Sequence, residues 1–227
     1  RSYSVTGVQT CALPILGKYD YRHDTWNGMT PSPDAKAGIW VALDAMQGER
    51  CAYCEADIAG SSDRHIEHFR QRSRYPQGTF QWQNLFGSCN RVNSCGKHKD
   101  SCGDYDHQDL IKPDEEDPDD FFVFVSDGTI KVRSGLDAHN NRRASETLRI
   151  FNLDAENGPL RHMRKRAVAG YLQTAEKIRE LAQVLPPEDW MPFLHAELAA
   201  TDHLPFATTR PEEHTFELQS PNTQLYA

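Results

Sequence analysis

The chain has 227 residues, 38% of them hydrophobic and 26% charged, with 25 Lys and Arg against 33 Asp and Glu for a formal net charge of −8. No apolar run approaches the roughly 20 residues that span a bilayer, which argues against a membrane protein. The acidic balance excludes a protein that coats nucleic acid through bulk charge, because phosphate binding draws on clustered Lys and Arg, so any such contact has to be local.

In chain order, residues 1–16 (RSYSVTGVQTCALPIL) show no periodicity, no basic n-region and no cleavage site, and make a poor signal peptide. Back-translated, 5–15 reads as a common short-read sequencing adapter. Residues 210–220 (RPEEHTFELQS) read as its reverse complement, with Pro211 and Phe216 departing from it as single-base changes would. On this reading 1–16 and 210–227 are foreign, the natural sequence shown is a fragment from Gly17 to about Thr209, and Cys11 takes no part. The alternative is a pair of disordered tails.

Residues 17–49 read as an N-terminal arm and a helix. Ser32-Pro33 supplies a cap and a first-turn proline, Ile39, Leu43 and Met46 recur at helical spacing, and Gly48 ends the pattern. Residues 50–108 are rich in Gly, Ser, Asn, Cys and His and poor in apolar side chains, which suits a module held by metal rather than by a large core. Trp82, Phe80 and Phe86 read as its minimal core, with base stacking as the alternative. The acidic run DEEDPDD at 114–120 reads as a solvated loop. Residues 121–125 and 129–133, separated by Ser126-Asp127-Gly128, predict a hairpin. Beyond it, 142–151 predicts a short helix and 159–184 a long one, with Leu160, Met163, Ala167, Leu172, Ala175, Ile178 and Leu181 mostly on one face, until Pro186-Pro187 stops it. Arg161, Arg164, Lys165 and Arg166 make its first turns basic, as a solvated face or a phosphate contact. Hairpin and helices make up a region at 109–209.

The cysteines carry the clearest chemistry. Cys51-x2-Cys54 and Cys89-x5-Cys95 can bring four thiolates around one structural zinc ion (Zn2+), and with all four positions filled by sulfur no open site remains for hydrolysis. The x5 spacing is wide, and Cys102 is a spare thiol able to replace either member of the second pair. Thiolate ligation instead of a disulfide framework favours a reducing, cytoplasmic setting.

Between the two cysteine loops, Arg64-His65-Ile66-Glu67-His68-Phe69 sets a carboxylate beside an imidazole. Neighbours on a strand face opposite sides, so one can bind a hard cation while the other meets an attacking water. Phosphodiester hydrolysis needs both: charge stabilisation from a cation and a base of near-neutral pKa, and histidine is the natural base. Arg70, Arg72 and Arg74 alternate after His68 and are candidates for phosphate contact. His65 reads as a histidine satisfied by a backbone carbonyl beside the knuckle, with ligation as the alternative. His139, His162, His195 and His203 lack partners of suitable spacing.

These residues resemble the HNH (ββα-metal) nuclease family. Glu67-His68 stands for its Asp-His pair, Asn84-Leu85 in WQNLFGSC for its middle element, and Cys95-Gly96-Lys97-His98-Lys99-Asp100 for its last. The resemblance implies an α+β fold with a small zinc-stabilised ββα core, His68 as general base, and Asn84 pinning the loop that carries His68. It also implies Glu67 and His98 as ligands of a catalytic Mg2+ or Mn2+; Asn93 and His107 stand as alternatives for the second ligand. HIEHFRQRSRYP, WQNLFGSC, CGKHKD, DLIKPDEEDPDDFFVF, DGTI and NLDAENGPLRHMR together are similar to the HNH subunit of Septu anti-phage systems, a pattern shared by retron-associated HNH effectors. That implies an ABC/SMC-like ATPase partner and a nucleic-acid substrate, DNA in preference to RNA. Gln71 departs from the family's usual Pro, and Glu67 from its Asp. The competing reading is a zinc-stabilised module that binds nucleic acid or protein without cutting.

Overall fold

The computed structural model describes residues 15–209. The two adapter-like ends lie outside the described residues apart from Ile15 and Leu16, of which Leu16 is buried. The chain is α+β: among the described residues, five helices and two two-stranded sheets. It divides into two compact units, one of residues up to 123 with 130–155, the other of 124–129 with 156 onward. No helix among the described residues is long and apolar enough to cross a membrane.

In the first unit, helix α1 (Pro33–Gln47) starts and stops where its sequence says. Ser32 Oγ accepts from the Ala35 N–H, Pro33 occupies the first turn, and Gly48 closes the helix at φ 62° with its N–H on Asp44 O. Strands β1 (Arg64–His68) and β2 (Leu85–Cys89) then pair antiparallel, Arg64 opposite Cys89 and His68 opposite Leu85. Helix α2 (Cys95–Ser101) follows directly, completing a ββα order. All five residues of β2 are buried, because α1 and α2 both contact it. Gly87 in its middle has no room for a side chain: a Cβ there would meet the Trp40 ring at 3.0 Å and Gln47 Nε2 at 3.2 Å. The Gln47 amide in turn exchanges two hydrogen bonds with the Gly87 backbone, 2.7 Å to its N–H and 2.9 Å to its carbonyl. Phe80, Trp82 and Phe86 are buried as core.

The acidic run is not merely solvated. Lys112 Nζ reaches Asp114 (2.7 Å) and Glu115 (2.8 Å), and Arg143 pairs with Glu116. The predicted hairpin forms as β3 (Phe122–Phe124) and β4 (Ile130–Val132). Helix α3 (Ala138–Phe151) begins four residues before the predicted 142, because Asp137 caps it by accepting from the Asn140 N–H at 2.8 Å.

The second unit contains α4 (Pro159–Val184) and α5 (Pro187–Thr201). The Pro186-Pro187 pair ends α4 as expected and then serves as the first turn of α5, a helix that periodicity did not single out. Ile178, Trp190 and Leu194 form its buried cluster, each such side chain contributing about 1.5–3 kcal/mol. Along α4 the apolar face departs from expectation: Leu172 is 41% exposed, while Arg164 is 2% exposed with its Nε donating to Gly128 O at 2.7 Å. Arg164 is thus a core residue and not part of a basic face.

Candidate metal centre and active site

Cys51 and Cys54 sit on a tight turn in which the Cys51 N–H bonds Ala56 O and the Glu55 N–H bonds Cys51 O, with Glu55 at φ 59°. Cys89 ends β2, and Cys95 opens α2 at φ 55°. These elements bring four buried sulfur atoms within 4.8 Å of one another. A tetrahedral site with zinc–sulfur bonds of about 2.3 Å has sulfur–sulfur edges of about 3.8 Å, so the donor set fits zinc with little adjustment. The Cys89 N–H also points at Cys51 Sγ, 3.4 Å away. Contacts from Cys51, Cys54 and Cys95 pull the Cys89 thiol well below its usual pKa, while the contact with Cys51 pushes Cys54 up and burial pushes Cys95 up. Cys102 stands outside the cluster, its Sγ on Lys99 O at 3.3 Å. The spare-thiol alternative is thereby removed.

β1 carries Glu67 and His68 to opposite faces, and both are buried, at 2% and 6% exposure. On one face His68 Nε2 lies 3.0 Å from Thr79 O, and Trp26 stands edge-on to its ring at a centroid distance of 4.6 Å. A carbonyl only accepts, so Nε2 carries the proton and Nδ1 keeps its lone pair. Burial lowers the His68 pKa to about 4 against the opposing pull of the Thr79 carbonyl, which keeps the ring neutral at physiological pH and makes it a weaker base than the near-neutral one expected. Asn84 holds the turn that follows: its Oδ1 accepts from the Arg70 N–H (2.7 Å), and its Nδ2 donates to Arg70 O and Gly78 O (both 3.1 Å).

On the other face Glu67 meets two nitrogen partners. Lys99 Nζ, with no exposed side chain, lies 2.6 Å from Oε1, and His65 Nε2 lies 3.1 Å from Oε2. The ammonium also donates to His68 O (2.9 Å) and Asp100 Oδ1 (3.0 Å). Burial alone would raise the Glu67 pKa, but the His65 contact and the Lys99 charge outweigh it and hold the carboxyl below its usual value. Burial would likewise lower Lys99, and the facing Glu67 charge overcomes it and raises the amine.

His98 is not brought to Glu67. Gly96 and Lys99, three residues apart on α2, share the face that meets Glu67, and position 98 is turned away by about 100°. His98 Nδ1 lies 2.9 Å from Ile150 O of α3. His107 packs against the Tyr75 ring, and the Asn93 carbonyl accepts from Asn152. Among the described residues no cluster of three or more His, Cys, Asp or Glu includes Glu67; the cysteine group alone qualifies. The arginines after His68 are engaged within the chain: Arg70 over the Tyr75 ring, Arg72 on Trp26 O, and Arg74 on Asp104 and Tyr105 O. His65 is satisfied by side chains, Asn90 and Glu67, and not by the backbone carbonyl expected. Sequence reading gave no role to Lys99, Trp26 or Asn90. Only Lys99 had a local signal, its i,i+3 spacing from Gly96.

No family model matches the chain. Over 84 residues it is 32% identical to the Septu protein PtuB of Bacillus thuringiensis. The match covers 37% of this chain and 31% of that relative, so the likeness extends over about a third of each.

Proposed function

We propose that the chain is a metal-dependent endonuclease of the HNH type, acting on nucleic acid in an ATPase-coupled anti-phage system. The observation that carries this reading is the ββα unit in which β1 turns Glu67 and a neutral His68 to opposite faces beside a four-cysteine clamp. Similarity to a Septu protein supports the defence setting and, with it, an ATPase subunit as partner. DNA is the substrate proposed in preference to RNA.

In this reading His68 is the general base. Its Nε2–H stays on Thr79 O, which fixes the ring and leaves Nδ1 to take the proton from an attacking water. Asn84 acts through the turn at 69–78, keeping that carbonyl in place. Glu67, held ionised, offers Oε2 to a divalent cation, Mg2+ or Mn2+, which when bound supplies charge stabilisation to the phosphate and the leaving oxygen. His98 stands on another face of α2, so the cation rests on Glu67 in this account. The four-cysteine site, filled by sulfur, holds the unit together and takes no part in the reaction.

The test is nicking of supercoiled plasmid by the zinc-loaded chain with Mg2+ or Mn2+, with and without an ATPase subunit. His68→Ala is expected to abolish cutting with zinc content retained and the chain still folded, a loss of at least 100-fold for a general base. Absence of cutting by the unaltered chain on DNA and on RNA would favour a binding module.

A further inference from the structure

We propose that His65 is the imidazole ligand of the divalent cation, bound through Nε2 next to Glu67 Oε2, and that Asn90 is the residue that presents it. This assignment rests on the metal-dependent reading of the Glu67 face.

The argument starts from the Asn90 amide. Its Nδ2 donates to Ser62 O (2.8 Å) and Arg64 O (3.1 Å), two groups that can only accept. The amide is therefore fixed with Oδ1 toward His65 Nδ1, 3.0 Å away. An amide oxygen also only accepts, so the proton of a neutral His65 ring sits on Nδ1. Nε2 then presents its lone pair to Glu67 Oε2 at 3.1 Å. The contact calls for a positive centre that both atoms can face, a role that a proton fills when no ion is bound and that a metal ion takes over. The separation suits a divalent cation: an octahedral ion with ligands at about 2.1 Å has adjacent donors about 3.0 Å apart. An N–H of a ligating histidine held by an outer oxygen is also the usual way such a ring is oriented.

Two further features shape the position. Gly96 stands over Oε2 with no side chain, and a Cβ there would come within 2.4 Å of that oxygen. Lys99 takes the opposite oxygen, Oε1, and so fixes the carboxylate without covering Oε2. The His65 side chain is 20% exposed against 3% for Glu67, so a cation and its phosphate reach the pair from the His65 edge. The hairpin register makes the arrangement: His65 lies opposite Ser88, and Asn90 follows the last residue of β2 with its N–H on Asp63 O.

The experiment is Mn2+ binding to the full zinc-loaded chain, followed by electron paramagnetic resonance, with pulsed measurement of nitrogen coupling to the bound ion. The unaltered chain is expected to show coupling from one imidazole. His65→Gln, which preserves side-chain length, should lose that coupling and weaken Mn2+ at least ten-fold; Asn90→Ala should retain it and weaken binding roughly ten-fold. His98→Ala should retain both coupling and affinity. Zinc content and circular dichroism show that each variant is folded, and His65→Ala serves if the Gln variant is not. Coupling that persists in the folded His65 variant, coupling lost in His98→Ala, or an unaltered chain that binds Mn2+ without nitrogen or not at all would overturn the assignment. Nicking that needs His68 but not His65 would remove the ligand and leave the nuclease. Nitrogen coupling from His65 in a chain that cuts nothing would do the reverse.

Discussion

Two ion pairs in the first unit differ mainly in their distance from water. Glu67 and Lys99 have side-chain exposures of 3% and 0%, whereas Glu116 and Arg143 have 25% and 14%. In the first pair neither charge keeps its hydration, and each is tolerated because the other, with His65 and the His68 carbonyl, replaces it. In the second pair water still reaches both partners, and the contact ties α3 to the loop before β3 by a two-pronged guanidinium–carboxylate bond of 2.7 and 2.5 Å. The buried pair is poor in net stabilisation and rich in consequence, since removing either member strands a charge. The outer pair adds a modest increment that pH and salt can remove.

The strongest way to break the contrast is to remove the frame that holds the buried pair. Withholding the metal that the cysteine cluster can hold, or changing Cys89 to Ser, is expected to cost an amount on the order of the roughly 10–16 kcal/mol that structural zinc supplies to small domains. Hydrogen exchange should then report loss of protection through β1, β2 and α2, because Cys89 ends one strand and Cys95 opens the helix. Retained protection in those three elements after zinc removal would mean that apolar packing alone holds Lys99 against Glu67.

Next in size, Lys99→Met should destabilise the chain by about 3–5 kcal/mol, the usual cost of leaving a buried charge unpaired. Adding Glu67→Gln to that variant should restore much of the loss, because the uncompensated carboxylate is then gone. Urea unfolding of the two single variants and the double variant measures this. A Lys99→Met cost below about 1 kcal/mol would place the pair in the class of exposed contacts.

The same contrast shows what a linear sequence discloses. Helix α1 was legible because its signals are local: Ser32, Pro33 and Gly48 act within a turn of themselves. The four cysteines were legible for a similar reason, since ligand chemistry names them before any fold is known. Glu67 and His68 were singled out by their position between the cysteine loops. Their partners were not, because partnership is set by the register of β1 on β2 and by the face of α2. His65 finds Asn90 across 25 positions and Glu67 finds Lys99 across 32. Local composition also misled in the DEEDPDD run, whose charge looked solvated until Lys112 and Arg143 arrived from outside it. On α4, periodicity predicted Leu172 inside and a basic face outside, and the chain exposes Leu172 while burying Arg164 against Gly128.

The smallest effect is expected at Glu116, and its pH dependence has a definite sign. Burial would raise this carboxyl, but the Arg143 guanidinium outweighs it and holds the folded pKa below the ordinary 4.5. A group depressed in the folded state stabilises fully above its unfolded pKa and loses that contribution as pH falls through the folded value. Arg143 stays charged throughout, so within the pair only Glu116 titrates; His139 adds a smaller contribution from outside it. Glu116→Gln should therefore cost about 1 kcal/mol at pH 7 in low salt, with the gap to the unaltered chain narrowing below about pH 4.5 and in high salt. Comparing the two chains at each pH cancels the acid sensitivity of the cysteine cluster, which both share. A gap that stays constant from pH 7 to pH 4 would show that the Gln side chain is lost packing, not lost charge, and would erase the distinction between the outer pair and the buried one.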